Sequence, residues 1–227
     1  MASRKIKFGI FFIMIASLGA GVVSYISKSP YKKALMTIHE LLSENNELKQ
    51  AITNLTEEDQ IGYAKIIAQE EKDGKLFTTI RFVETARGDN LNTILEKEIT
   101  IEGDIFYFDV LIVKFENNMV TDGKAKALYI WRRIFGEKMA PERGFVIEEP
   151  GTEPIRYKDL LEALPVEHCD LFWSNIWDLA NDPNKLKEYG IQAIYGDAVY
   201  YKLIKGRIYI FKIAPTGLFY LEAIPDI

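Results

Sequence analysis

The chain has 227 residues, 48% of them hydrophobic and 12% aromatic, which is ample material for a packed core and excludes wholesale disorder. Its net charge is −5, yet residues 1–33 carry six basic side chains and no acidic one, which leaves −11 on the remainder. An acidic main body repels phosphate backbones and argues against nucleic acid as a partner, and a single cysteine, Cys169, excludes an intramolecular disulfide or a multi-cysteine metal knuckle.

Residues 1–7 form a short basic leader. Phe8 to Ile26 then runs without a charge, and at about 1.5 Å per helical residue such a run covers roughly the 30 Å hydrocarbon layer of a bilayer. It is longer than the apolar region of a cleavable signal peptide, and the small-residue sites near its end fit cleavage poorly. The expectation is a single-pass signal-anchor over residues 8–26. Arg4, Lys5 and Lys7 precede the span and Lys28, Lys32 and Lys33 follow it, so the positive-inside count is a tie. A short, triply charged N-terminus is costly to translocate, which favours an extracytoplasmic, periplasmic main domain.

Residues 28–55 read as a helix, since Tyr31 to Leu55 contains no Gly or Pro. A heptad frame places Tyr31, Ile38, Asn45 and Ile52 at a, and Ala34, Leu41, Leu48 and Leu55 at d. Isoleucine at a with leucine at d favours two parallel strands, and a single Asn at a fixes register and dimer state. The expected seam is therefore Ile38, Leu41, Asn45, Leu48, Ile52 and Leu55. The alternative is an amphipathic helix lying on its own domain, because 3.5- and 3.6-residue periods are hard to separate over so few turns.

Beyond residue 56 the period changes to two. Asp73-Gly74 between Ile61–Glu70 and Leu76–Glu84 predicts a hairpin with a type I′ turn. Residues 86–92 read as a polar connection. A second hairpin is expected from Glu96–Ile101, a turn at Glu102-Gly103-Asp104, and Ile105–Phe115. The last of these is nearly all apolar, as a central strand buried on both faces requires, and Asp109 interrupts it. Lys126–Phe135 reads as a strand, and residues 136–154 as a long loop, a kind of segment that is often functional. Tyr157–Leu164 reads as a short helix and Asp170–Ala180 as a longer one. Asp182 caps another, with Pro183 at its first position and Gly190 past its end. A meander over Ile191–Leu203, Arg207–Ala214 and Leu218–Ile224 closes the chain. The fold class is thus α+β: an anchor, a short coiled-coil helix, and a mainly antiparallel domain over 56–227 with a few helices.

Three stretches, ALYIWRRIFGEKMAPERGF, LFWSNIWDLANDP and GIQAIYGDAVYYKL, resemble segments of an uncharacterised bacterial family of single-pass, membrane-anchored envelope proteins. The resemblance implies a bacterial membrane setting and no activity.

Candidates for chemistry are few. Glu167-His168-Cys169-Asp170 gathers ligand types, but sequence neighbours seldom converge in space, and Asp170 suits a helix N-cap. His39 reads as a solvated helix residue. Arg132-Arg133 beside Tyr129 and Trp131 could hold an anion. On a regular strand Trp131 and Arg133 share one face and Arg132 lies opposite. Glu148, Glu149 and Glu153 could attract a cation. Trp173 and Trp177, with Trp131 and Arg133, are the candidate ligand-binding set. No glycine-rich phosphate loop, zinc pattern or nucleophile elbow occurs, so no cofactor or metal is expected.

The leading expectation is an envelope protein that binds or scaffolds other proteins, with the lipid bilayer, a second copy of itself and an unidentified envelope or membrane protein as partners, and no nucleic acid. The alternatives are a membrane-tethered ligand-binding domain with an aromatic cleft, and an enzyme built on dispersed acids such as Asp109 and Glu149.

Overall fold

The computed structural model describes residues 30–157 and 169–226. The Phe8–Ile26 span lies outside them, as do Glu167, His168 and nearly all of the Tyr157–Leu164 helix. No helix among the described residues is long and apolar enough to cross a membrane. The chain divides into two compact units, 1–50 and 51–227.

Helix α1 (Pro30–Thr56) covers the expected helical run. Its last turns belong to the second unit, where Leu55, partly buried, packs against a buried cluster that includes Val120. Asn54 donates from Nδ2 to the Thr121 carbonyl at 2.8 Å. Leu55 therefore faces its own domain, which removes it from the seam expected of it.

The second unit is α+β with antiparallel sheets. A five-stranded sheet has the order β3-β2-β1-β8-β9, from β1 (Asp59–Lys72), β2 (Lys75–Ala86), β3 (Asp89–Glu102), β8 (Arg207–Ile213) and β9 (Phe219–Pro225). A four-stranded sheet has the order β6-β5-β4-β7, from β4 (Ile105–Phe115), β5 (Leu128–Gly136), β6 (Phe145–Val146) and β7 (Ile191–Lys202). The β1–β2 turn has positive φ at both Asp73 and Gly74 (52° and 73°), as a type I′ turn demands. Residues 86–92 do not form a connection. The chain reverses within Arg87-Gly88, where Gly88 supplies a φ of 74°, and β3 starts at Asp89. The first half of β3 is solvent-exposed, so no alternation marked it.

The second hairpin is not formed either. β3 pairs only with β2, while β4 pairs with β5 and β7. The turn at 102–104 carries the chain from one sheet to the other. The closing meander divides in the same way, with β7 in the smaller sheet and β8 in the larger.

The two sheets face each other across one core. Phe82, Ile80 and Phe211 from the larger sheet meet Phe106, Phe108 and Trp131 from the smaller. Phe82 and Trp131 pack edge-to-face at 4.9 Å, as do Phe108 and Phe211 at 4.8 Å. The opposite face of the smaller sheet carries Leu111, Val113 and Leu128 into a second core. Both faces of β4 are thus covered, as its run of apolar residues anticipates.

Helices cover that second core. The expected Asp170–Ala180 helix is two, α3 (Cys169–Ser174) and α4 (Ile176–Ala180), broken at Asn175. Phe172, Trp173, Ile176 and Leu179 from them point into the core. α2 (Asn117–Thr121) contributes Val120. α5 (Pro183–Glu188) has its N-cap where expected: Asp182 accepts from the amides of Asn184 and Lys185.

Candidate functional site

Strand β5 does not run regularly. Asp109 pairs with Arg133 and Val110 with Trp131, which leaves Arg132 as an extra residue in the ladder. Such a bulge shifts the side-chain alternation by one. Trp131 consequently lies in the inter-sheet core, fully buried, while both arginines reach Asp109 of β4. Arg132 Nη1 is 3.3 Å from Asp109 Oδ1, and Arg133 Nε is 3.7 Å from Oδ2. This corrects the regular-strand expectation, in which Trp131 and Arg133 share a face. Burial raises the Asp109 carboxyl above its ordinary range, with Arg132 and Arg133 acting against that shift. Arg133 also donates from Nη1 to the Pro141 carbonyl at 2.8 Å. Gly196 of β7 leaves room for Arg132, since a Cβ there would stand 3.2 Å from its Nη1.

The two arginines stand between two depressions. On one side is a cavity of about 240 Å³, with Leu111 and Ile130 from the sheet, Trp173 and Ile176 from α3 and α4, and residues 148–152 along one wall. On the other is a wider, more open groove with Asp109, Phe135, Pro141, Glu142 and Asp197. Arg133 and Trp173 of the expected binding set are therefore brought together, whereas Trp131 is not. Trp177 sits on α4. Cys169 opens α3, and His39 is exposed on α1. Among the described residues, no group of three His, Cys, Asp or Glu is placed to hold a metal ion.

The wall at 148–152 is held by a buried polar network. Ile147 and Glu148 donate their amides to the carbonyls of Arg132 and Trp131 at 3.0 and 3.2 Å, so the segment lies along β5. Glu148 Oε2 accepts from the Trp131 amide at 2.7 Å. Arg156 sits in a 3-10 turn over Ile155–Tyr157. It binds Glu148 at 2.7 Å and Glu84 of β2 at 2.9 Å, and lies 4.3 Å over the Tyr129 ring. Tyr129 donates to Glu84 at 3.0 Å, and Tyr157 accepts from the Tyr129 amide at 2.8 Å. Burial works against the charge on Arg156, but Tyr157, Glu148, Tyr129 and Glu84 outweigh it and hold the guanidinium charged. Burial lifts Glu84 to about 7, Arg156 opposes this and Glu148 adds to it.

The sequence reading does not single out Arg156 or Glu84, and Glu148, named there as one of three acids that could attract a cation, is instead held by Arg156 and the Trp131 amide. An isolated Ile-Arg-Tyr after Pro154 carries no pattern, because two of the partners of Arg156, Glu84 of β2 and Tyr129 of β5, come from distant segments. The bulge was equally unmarked. Chemically, the cavity offers an apolar surface with two guanidinium groups at its mouth. Asp109 pairs with both arginines and offsets part of their charge, so strong attraction for a free anion is not expected.

The fold and site define a two-sheet α+β domain with a cavity between one sheet and its helical cover. No protein-family model, curated protein or solved structure matches the chain.

Proposed function

We propose that this chain is a membrane-anchored envelope protein that binds another protein, and that its cavity receives one apolar side chain of that partner. The observation that carries the reading is the cavity's size together with its open mouth. Small-molecule sites usually measure about 300–1,000 Å³ and enclose most of their ligand. This one is smaller, about 240 Å³. Its mouth includes Val146, 45% exposed, and the side chains of Arg132 and Arg133, 30% and 24% exposed. An apolar pocket rimmed by arginines and a solvent-exposed aliphatic side chain suits an anchor residue of a protein interface. The anchor over residues 8–26 and the extracytoplasmic placement belong to the same proposal, resting on the uncharged run and its basic flanks.

The test is site-specific photo-crosslinking of the full-length chain in its native membrane. A photoreactive residue at Val146 is expected to yield one discrete protein adduct. The same residue at Leu91, 95% exposed at the start of β3, is expected to yield none. Filling the cavity with Ile130→Phe should reduce the Val146 adduct at least about tenfold, as the loss of a hot-spot contact does, while the thermal melt stays cooperative. Identical adducts from both positions, no adduct at all, or an adduct indifferent to Ile130→Phe would sink the proposal.

A further inference from the structure

Helix α1 carries a surface of a different kind. Ile38, Leu41, Leu48 and Ile52 are each between 53% and 60% exposed, and Leu35 and Leu42 beside them are exposed to a similar degree. Water facing this many large aliphatic side chains along one helix is unfavourable, and such a stripe marks an interaction surface. We infer that α1 is one strand of a parallel, in-register coiled coil formed with a second copy of this chain over Ile38–Ile52.

Three observations select that occupant. First, the stripe follows the heptad frame at a and d, with isoleucine at both apolar a positions and leucine at both d positions, the arrangement that two parallel strands prefer. Second, Asn45 occupies the a position between them and is exposed on the helix. In a parallel pair Asn45 meets its own counterpart and the two amides hydrogen-bond. In an antiparallel pair a positions meet d positions, and Asn45 would be set against a leucine. Third, the charges at the flanking positions agree. Glu44 falls at g and Lys49 at the following e, so each Glu44 of one copy faces Lys49 of the other, twice by symmetry. The other flanking positions in this window, Thr37, Leu42 and Ala51, carry no charge to oppose it.

The structure also sets where the seam stops. Leu55, the next d position, is partly buried against the core of its own domain, so the seam ends at Ile52. Two heptads are too short for strong association of free helices, and the pairing depends on a high local concentration, which a shared membrane supplies. The inference rests on the membrane anchor of that reading but not on the cavity or its partner, and retention of the full-length chain in the carbonate-washed membrane separates a failed anchor from a failed seam.

The experiment uses the full-length chain in native membranes, with Cys169→Ser to remove the native thiol. Leu41→Cys, at d, is expected to form a disulfide-linked dimer rapidly under mild oxidation. Ser43→Cys, on the outer face two residues away, is expected to form none under the same conditions. Against the Leu41→Cys background, Glu44→Lys and Lys49→Glu are each expected to lower the dimer about threefold or more, because two attractive pairs become repulsive. The double reversal should restore it. Glu44 and Lys49 are five residues apart and not neighbours on one helix, so restoration reports a contact between chains. Equal disulfide yields at positions 41 and 43, no dimer at 41, or a double reversal no better than the singles would overturn the inference. Crosslinking of the parent within the membrane to a trimer rather than a dimer would overturn it as well.

Discussion

Arg156 is asked to balance two carboxylates at once, and the consequence falls on Glu84. The guanidinium lies closer to Glu148 than to Glu84, Glu84 is 1% exposed, and burial holds its pKa near 7 against an ordinary value of 4.5. The folded protein therefore keeps a proton on Glu84 in a pH range where the unfolded chain has released it. With more protons bound in the native state, stability falls as pH rises from about 4.5 through about 7. One pKa unit corresponds to about 1.4 kcal/mol, so the loss across that window is on the order of 3 kcal/mol. Glu84→Gln is neutral at every pH and should abolish that contribution while keeping an acceptor for Tyr129. Thermal melts of the parent and the variant are expected to show Glu84→Gln gaining on the parent between pH 5 and pH 8. A difference in melting temperature that does not change with pH would show that Glu84 does not titrate in that window.

At the scale of the elements, the larger sheet depends on one glycine. Gly62 lies where β1 bulges against β8, with a φ of 155°, and a Cβ there would stand 2.2 Å from the Val83 carbonyl oxygen on β2. That neighbour is backbone within a paired strand and cannot move aside. Gly62→Ala is expected to cost about 3 kcal/mol or more, as a strained site with an unrelieved clash does. Gly74 has a φ of 73° but open space around its Cβ position, so Gly74→Ala should cost only about 1 kcal/mol. Urea midpoints of the two variants check the contrast, and near-equal losses would contradict it. The sequence was informative where chemistry is local. Asp73-Gly74 marked its turn, Asp182-Pro183 marked its helix start, and the apolar run of Ile105–Phe115 marked a strand covered on both faces. It was silent where pairing is decided at a distance. The turn at 102–104 has the same composition whether the flanking strands pair or pass between sheets, and alternation reports which face is buried but not which strand lies alongside. The extra residue at Arg132 cannot be seen in a run of ten strand-like residues, yet it determines that Arg132 and Arg133 share a face with Asp109. For the candidate site, Arg133 and Trp173 were legible as residues to watch. The Arg156 network that supports them was not, because each member looks like an ordinary surface residue until the fold assembles it.

Across the whole molecule, charge and apolarity are divided along the chain. Residues 1–33 hold basic side chains on both sides of the uncharged Phe8–Ile26 run, and the remainder is acidic. Under the proposal the basic flanks rest at the two membrane surfaces, while the acidic unit stands off an anionic bilayer. Among the described residues of 51–227, most large apolar side chains are enclosed in two cores. Membrane association should therefore reside in the N-terminal segment alone. The full-length chain is expected to remain in the membrane pellet after alkaline carbonate extraction, which strips proteins held only by charge, because a helix of about 20 apolar residues inserts effectively irreversibly. A chain beginning at residue 30 is expected in the soluble fraction. A reporter that is active only outside the cytoplasm, fused after Ile227, is expected to be active, since translocating the short triply charged N-terminus instead would be the costlier arrangement. Release of the full-length chain by carbonate would remove the anchor from the proposal. A retained chain with an inactive reporter would keep the anchor and place the cavity on the cytoplasmic side.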